Sequence, residues 1–274
     1  MIWLFRFAIL VAVCVLLLIA SGSAVTGNLL QPLASPPGGL FSQSGHQEFA
    51  IVAGGLTLLL AVWLIAVGGG LRAAGLVIGL LVLVEGGLGT PSLQARFSPG
   101  LPILHACVAQ LLFAATVAAV ILSSPGRLSG RDTVVDAGWP SLRSFSVITP
   151  LLVFVQISLG VAFRHKALGV MPHIAGAILV ALMILFTGMC VTQQCSQHRS
   201  LKAAAVTLMT AAFSQVFLGI AALTMRMINS TDTPAVILVT GAHVVVGALT
   251  LGASVALSVQ IRYHVMPKPE EVEA

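Results

Sequence analysis

Residues 155–177 run Val-Gln-Ile-Ser-Leu-Gly-Val-Ala-Phe-Arg-His-Lys-Ala-Leu-Gly-Val-Met-Pro-His-Ile-Ala-Gly-Ala. An apolar segment closes on Gln156-Ile-Ser-Leu-Gly160, a cationic turn Arg164-His165-Lys166 follows, and a second apolar segment opens at His173. This pattern predicts a helical hairpin with a polar residue four before a glycine on its first arm and a histidine on its second. Working outward, the first-arm signature returns as Glu85-Gly-Gly-Leu-Gly89 and Gln215-Val-Phe-Leu-Gly219, and more weakly as Leu18-Ile-Ala-Ser-Gly22. His46, His105, His173 and His243 follow these glycines, in chain order, after 24, 16, 13 and 24 residues. The chain therefore reads as four helical hairpins, or two related halves of four helices.

The arms are long enough to cross a bilayer, which takes about 20 apolar residues each. They are expected at 2–21, 46–68, 73–90, 102–123, 145–163, 172–192, 202–226 and 234–260. Composition agrees: 58% of the residues are hydrophobic and only 8% charged, with mean hydropathy +1.06. Soluble domains carry about 25% charged residues, so this chain cannot cover itself in water. The expected fold class is all-α, a polytopic membrane protein with eight transmembrane helices as two pseudo-symmetric four-helix bundles. Its first partner is membrane lipid. The net charge of +5 does not indicate nucleic acid, because the basic residues sit singly between apolar runs. Arg6 and the small residues Ser21 to Ala24 also allow a cleaved signal peptide over the first segment, but the repeat needs that segment as a helix. Cys14, Cys107, Cys190 and Cys195 show no framework spacing and read as packing thiols.

Lys and Arg sort by side. With the N-terminus inside, nine (Arg6, Arg72, Arg127, Arg131, Arg143, Arg199, Lys202, Arg262, Lys268) lie inside and four (Arg96, Arg164, Lys166, Arg226) outside. The expectation is both termini in the cytoplasm, the histidines toward the outer side, and a bacterial-type inner (cell) membrane. The division is 1–123 as the N-terminal half, 124–144 as a cytoplasmic linker, 145–262 as the C-terminal half, and 263–274 as a cytoplasmic tail ending in the solvated KPEEVEA. Residues 22–45 are expected to form a long uncharged outer loop.

A histidine inside a membrane helix is costly and is a functional candidate by default. Four at matching depth suggest a shared task. Four residues after them stand Ala50, Ala109, Ala177 and Gly247, on the same helix face. Small side chains there would let a flat macrocycle approach the helix, which favours haem. A zinc or copper centre would instead want carboxylates or thiolates converging with the histidines. Arg164 and Arg226, at outer helix ends, are candidates for neutralising haem propionates, with membrane-interface anchoring as the alternative. His165 belongs to the Arg164 cluster, whereas His198 and His264 read as ordinary interfacial residues.

The four hairpins, with [Gln/Glu]-x-x-Leu-Gly on odd spans and histidine on even ones, resemble the haem A synthase family. The match is closest over 155–177, and AFSQVFLG (212–219) and VTGAHVVVGA (239–248) fit the later pattern. The resemblance covers nearly the whole chain and is weakest in the first 60 residues. It implies haem b held by His173 and His243, and haem O as substrate at His46 and His105. The implied reaction is oxidation of the haem O methyl group to the formyl group of haem A. The implied partners are haem O synthase and terminal oxidase subunits; a homo-oligomer is left open. Where the family carries Glu-x-x-His-Arg at the second span, this chain has Gln43-Ser-Gly-His46-Gln47. An amide does not titrate usefully, so Gln43 cannot act as an acid or base. Glu85 is the candidate catalytic substitute, or else a repeat residue equivalent to Gln156 and Gln215. The cysteine pair that some members carry in the 22–45 loop is absent. A non-catalytic dihaem protein for electron transfer, haem delivery or oxidase assembly remains the alternative, and a haem-free transporter or scaffold a further one.

Overall fold

The computed structural model describes residues 1–30, 38–126, 133–136, 139, 141–229 and 233–267. Among these, nine helices carry nearly all the ordered structure: α1 (Ile2–Leu30), α2 (Gln43–Val67), α3 (Gly70–Leu88), the short α4 (Pro91–Arg96), α5 (Gly100–Ser123), α6 (Leu142–Arg164), α7 (Val170–Gln194), α8 (Arg199–Ile228) and α9 (Pro234–His264). All but α4 are long and apolar enough to cross a membrane. Their outward faces carry large apolar side chains such as Leu80, Leu83, Ile178, Leu182, Phe213 and Phe217. In water such a surface would aggregate; in a bilayer it meets lipid.

The helices close into two rings. In the first, α1 packs on α2, α2 on α3, α3 on α5 and α5 back on α1; in the second the order is α6, α7, α8, α9 and back to α6. The rings meet where α9 lies against α1 and α5. The halves are related in detail. From 71 to 90 and from 201 to 220 the order of buried, half-buried and exposed positions is the same residue for residue. Leu71 thus pairs with Leu201, Ile78 with Leu208, Glu85 with Gln215, and Gly89 with Gly219.

Each ring has one end packed with apolar side chains. Leu4, Val11, Leu60, Leu64, Ile78 and Phe113 fill the first, and Leu142, Ile184, Leu201, Leu208, Leu257 and Ile261 the second. The histidines lie toward the other end. Local chemistry fixes the helix boundaries. Ser42, Ser141 and Thr233 accept the first free N–H groups of α2, α6 and α9 with their side-chain oxygens, as caps do. Gly68 and Gly69 turn α2 into α3 at φ +81° and +58°, a conformation that side-chain-bearing residues rarely adopt.

Three sequence expectations are corrected. Helix α1 continues to Leu30, so the expected loop 22–45 begins well after residue 22. Thr26 there donates to the carbonyl of Gly22 at 2.8 Å; hydroxyls satisfied on their own helix do not end it. The linker 124–144 is partly ordered, because β1 (Val134–Val135) pairs in parallel with β2 (Val265–Met266) and α6 already starts at Leu142. The tail expected from 263 is helical to His264 and then paired as β2. Its KPEEVEA end lies outside the described residues, as do Arg127 and Arg131.

Candidate functional site

All four signature glycines meet the histidine of the next membrane helix. A Cβ built on Gly22 would lie 3.2 Å from Cε1 of His46, one on Gly89 3.3 Å from Cε1 of His105, one on Gly160 2.8 Å from Cε1 of His173, and one on Gly219 3.0 Å from Cε1 of His243. In each hairpin the first helix thus gives up a side chain so that the Cε1 edge of the imidazole can press against its backbone. The ring nitrogens then point to either side of the glycine, and a polar side chain from the glycine-bearing helix takes one of them.

Those partners differ. Ser21 Oγ sits 2.6 Å from His46 Nδ1. The same hydroxyl donates to the carbonyl of Leu18 at 3.0 Å, so toward His46 it is an acceptor. Glu85 Oε1 lies 3.1 Å from His105 Nδ1, an ion-pair contact that falls short of a well-aligned hydrogen bond. Gln156 Nε2 donates to the carbonyl of His173 at 2.8 Å and lies 3.0 Å from Nδ1 of the same residue. Gln215 Nε2 is 3.4 Å from Nε2 of His243. The weaker first signature is thereby explained: Leu18 offers no polar atom, and Ser21 supplies one a turn nearer the glycine.

In the second ring the imidazoles of His173 and His243 meet edge to face, with ring centroids 6.2 Å apart and planes at 89°. Metal–nitrogen bonds of about 2 Å on both sides would set two centroids roughly 6 Å apart, so the spacing fits two residues that would hold one iron. Buried oxygens without partners lie beside both rings, Oε1 of Gln156 and Oε1 of Gln215, and His243 Nδ1 is likewise buried without a partner. Turning the Gln215 amide end for end would offer an acceptor to a ring N–H, the arrangement that a metal-binding histidine favours on its far nitrogen, whereas Gln156 is fixed by its bond to the His173 carbonyl. Among the described residues no group of three or more His, Cys, Asp and Glu gathers as a metal centre; the membrane histidines come in twos.

Of the small residues one turn beyond the histidines, Gly247 makes a close contact within the protein. A Cβ at Gly247 would come within 3.1 Å of Gln215 Nε2, so the glycine admits that amide. Gly176 similarly makes room for the Gln156 side chain. Ala50, Ala109 and Ala177 are half-buried.

Arg164, in the last turn of α6, donates Nη1 to Ser23 Oγ at 2.8 Å and Nη2 to the Ser23 carbonyl. It ties the second ring to α1 of the first. Arg226 occupies the equivalent last turn of α8 and is half-buried. Beside Arg164, burial and then the neighbouring guanidinium hold His165 below the usual histidine range.

A second polar cluster at the opposite end was not foreseen. Asp136 is 3% exposed; it accepts from Ser141 Oγ at 3.0 Å and from the backbone N–H groups of Leu142 and Arg143, both at 3.3 Å. Arg143 reaches the carbonyl of Val265 at 2.8 Å. His198 and His264 sit at helix ends, as expected of interfacial residues, but their rings stand 4.5 Å apart and His264 is buried, so they pack on each other. Cys195, also buried and free, has its thiol pushed up by burial and then by Asp136. The only sequence signal for this cluster is that its members share one side of the predicted topology.

No family model matches the chain, and no curated protein matches it significantly.

Proposed function

We propose that this chain is a haem-binding membrane protein of the haem A synthase type, with one site in each ring. The His173–His243 pair, edge to face with ring centroids 6.2 Å apart, carries the reading. In it these two histidines hold haem b in the C-terminal half, and His46 and His105 receive haem O in the N-terminal half. Bound haem supplies one-electron redox chemistry, and the activity is oxidation of the haem O methyl group to the formyl group of haem A. A haem O synthase then supplies the substrate and a terminal oxidase consumes the product.

The protein's own contribution is orientation and charge. The glycines seat the imidazoles, and the polar partners on the same helices fix which nitrogen turns inward. Arg164 and Arg226 stand in the last turns of α6 and α8 at the histidine end, where either guanidinium would neutralise a propionate. Nine of thirteen basic residues lie on the side of both termini, which supports cytoplasmic termini and outward-facing histidines in a bacterial-type inner membrane.

One observation favours the second reading, a non-catalytic dihaem protein. Gln43 stands where the family carries a carboxylate, and Glu85, the substitute, is already turned onto His105. Two measurements decide. Purified protein should show a Soret band and sharp reduced α-bands that His173→Ala and His243→Ala remove; a protein without a Soret band defeats both readings. Co-expression with a haem O supply, followed by pigment extraction, should yield haem A or its hydroxylated precursor. Retained haem b with neither pigment establishes the non-catalytic reading.

A further inference from the structure

The related positions 85 and 215 present different chemistry to related histidines. Glu85 on α3 reaches His105 of α5 at 3.1 Å, and Gln215 on α8 reaches His243 of α9 at 3.4 Å. The two helices match in burial over twenty consecutive positions, and a glycine four residues on holds the same ring edge in both. Within these matching frames the contacts differ twice: Glu85 stands against Nδ1 of its imidazole and Gln215 against Nε2, and one side chain is a carboxylate, the other an amide. A carboxylate accepts, whereas an amide can present either a donor or an acceptor.

We infer that Glu85 is a positioning residue that sets the electronic character of the His105 site, giving an iron held there a lower reduction potential than one held at His173 and His243. This rests on the haem reading above. With an iron on the other nitrogen, a carboxylate 3.1 Å from Nδ1 needs only a small realignment to accept its N–H, which leaves the inner nitrogen as a lone pair and raises the basicity of that lone pair. Placed in a low-dielectric interior, its negative charge favours ferric over ferrous iron, so the electron taken up in Fe(III) + e⁻ → Fe(II) is held less tightly. A neutral amide at position 215 leaves the second site without that bias. The same contact reassigns Glu85 from the reacting groups to the support of a ligand.

The test is a spectroelectrochemical titration of full-length protein in detergent, loaded with iron protoporphyrin IX and reduced by the electrode one electron per haem. Wild type should resolve into two components. Glu85→Gln should move the lower one upward and leave the other in place, and Gln215→Glu should move the higher one downward. A tenfold change in relative ferric preference corresponds to about 59 mV for one electron, well within resolution. Unmoved midpoints in a haem-loaded Glu85→Gln protein overturn the inference. Should that variant fail to assemble, Gln215→Glu carries the test alone: a downward shift supports it and an unchanged midpoint overturns it. A wild-type protein without a Soret band defeats the haem reading and this inference together, whereas bands with unresponsive midpoints defeat only this one.

Discussion

The two ends of each ring use glycine and polar side chains for opposite purposes. At the packed end a Cβ on Gly75 would meet the carbonyl oxygen of Ala61 at 2.7 Å, so the glycine draws two backbones together. At the histidine end Gly160 is equally crowded, but what crowds it is an imidazole. Polar groups follow the same division. Thr149 and Thr187 satisfy each other at 3.0 Å in the buried packed end, whereas Gln156 and Gln215 keep buried oxygens without partners beside their histidines. One end therefore spends its small and polar residues on holding helices together. The packed end also keeps an unpartnered oxygen, on Gln260, so what sets the histidine end apart is that its unused acceptors lie beside imidazoles seated on glycines.

Gly160→Val should break this contrast most visibly. It should abolish the reduced α-band of the C-terminal haem, because His173 cannot keep its seat, while far-ultraviolet circular dichroism keeps full helicity; a retained band would remove the cradle from the argument. Leu208→Ala, in the packed end, should act the other way. Burial this complete sets a cost of about 2–5 kcal/mol, read as reduced stability in detergent unfolding with the haem spectrum unchanged. Arg164→Ala removes charge-assisted hydrogen bonds worth about 1.5–3 kcal/mol between the rings. It should lower the unfolding midpoint and, with Arg226 still in place, leave the α-bands alone; loss of haem instead would make Arg164 the propionate's partner. Smallest is Thr149→Val, with about 0.6 kcal/mol expected from the average hydrogen bond between membrane helices.

The fold was legible because the bilayer demands long apolar helices: all eight expected segments fall on helices, with ends displaced by a few residues. The largest displacement, at α1, comes from Ser, Gly and Thr, which read as loop in sequence but serve as close-contact residues within a helix. The histidines and their glycines were legible as a repeat. Their actual contact was not, since the separations from 13 to 24 residues hide a constant geometry in which each glycine faces its own histidine. The contact of Gly247 with Gln215 was hidden for a related reason, since 32 residues separate them in sequence. Asp136 and the His198–His264 pair were missed because β1 and β2 join residues about 130 apart in sequence, with no local pattern to announce it.

Ser21, Gly22 and Ser23 occupy a single turn of α1, yet the first two touch His46 while Ser23 receives Arg164 and lies against Gly241, two residues before His243. The earliest helix of the chain is thus completed by the sixth and the ninth. During synthesis the N-terminal ring can gather its own four helices well before the turn of α1 that seats His46 has found its remaining neighbours. Final packing around that first site therefore depends on α6 and α9, helices of the other ring that follow it in the chain.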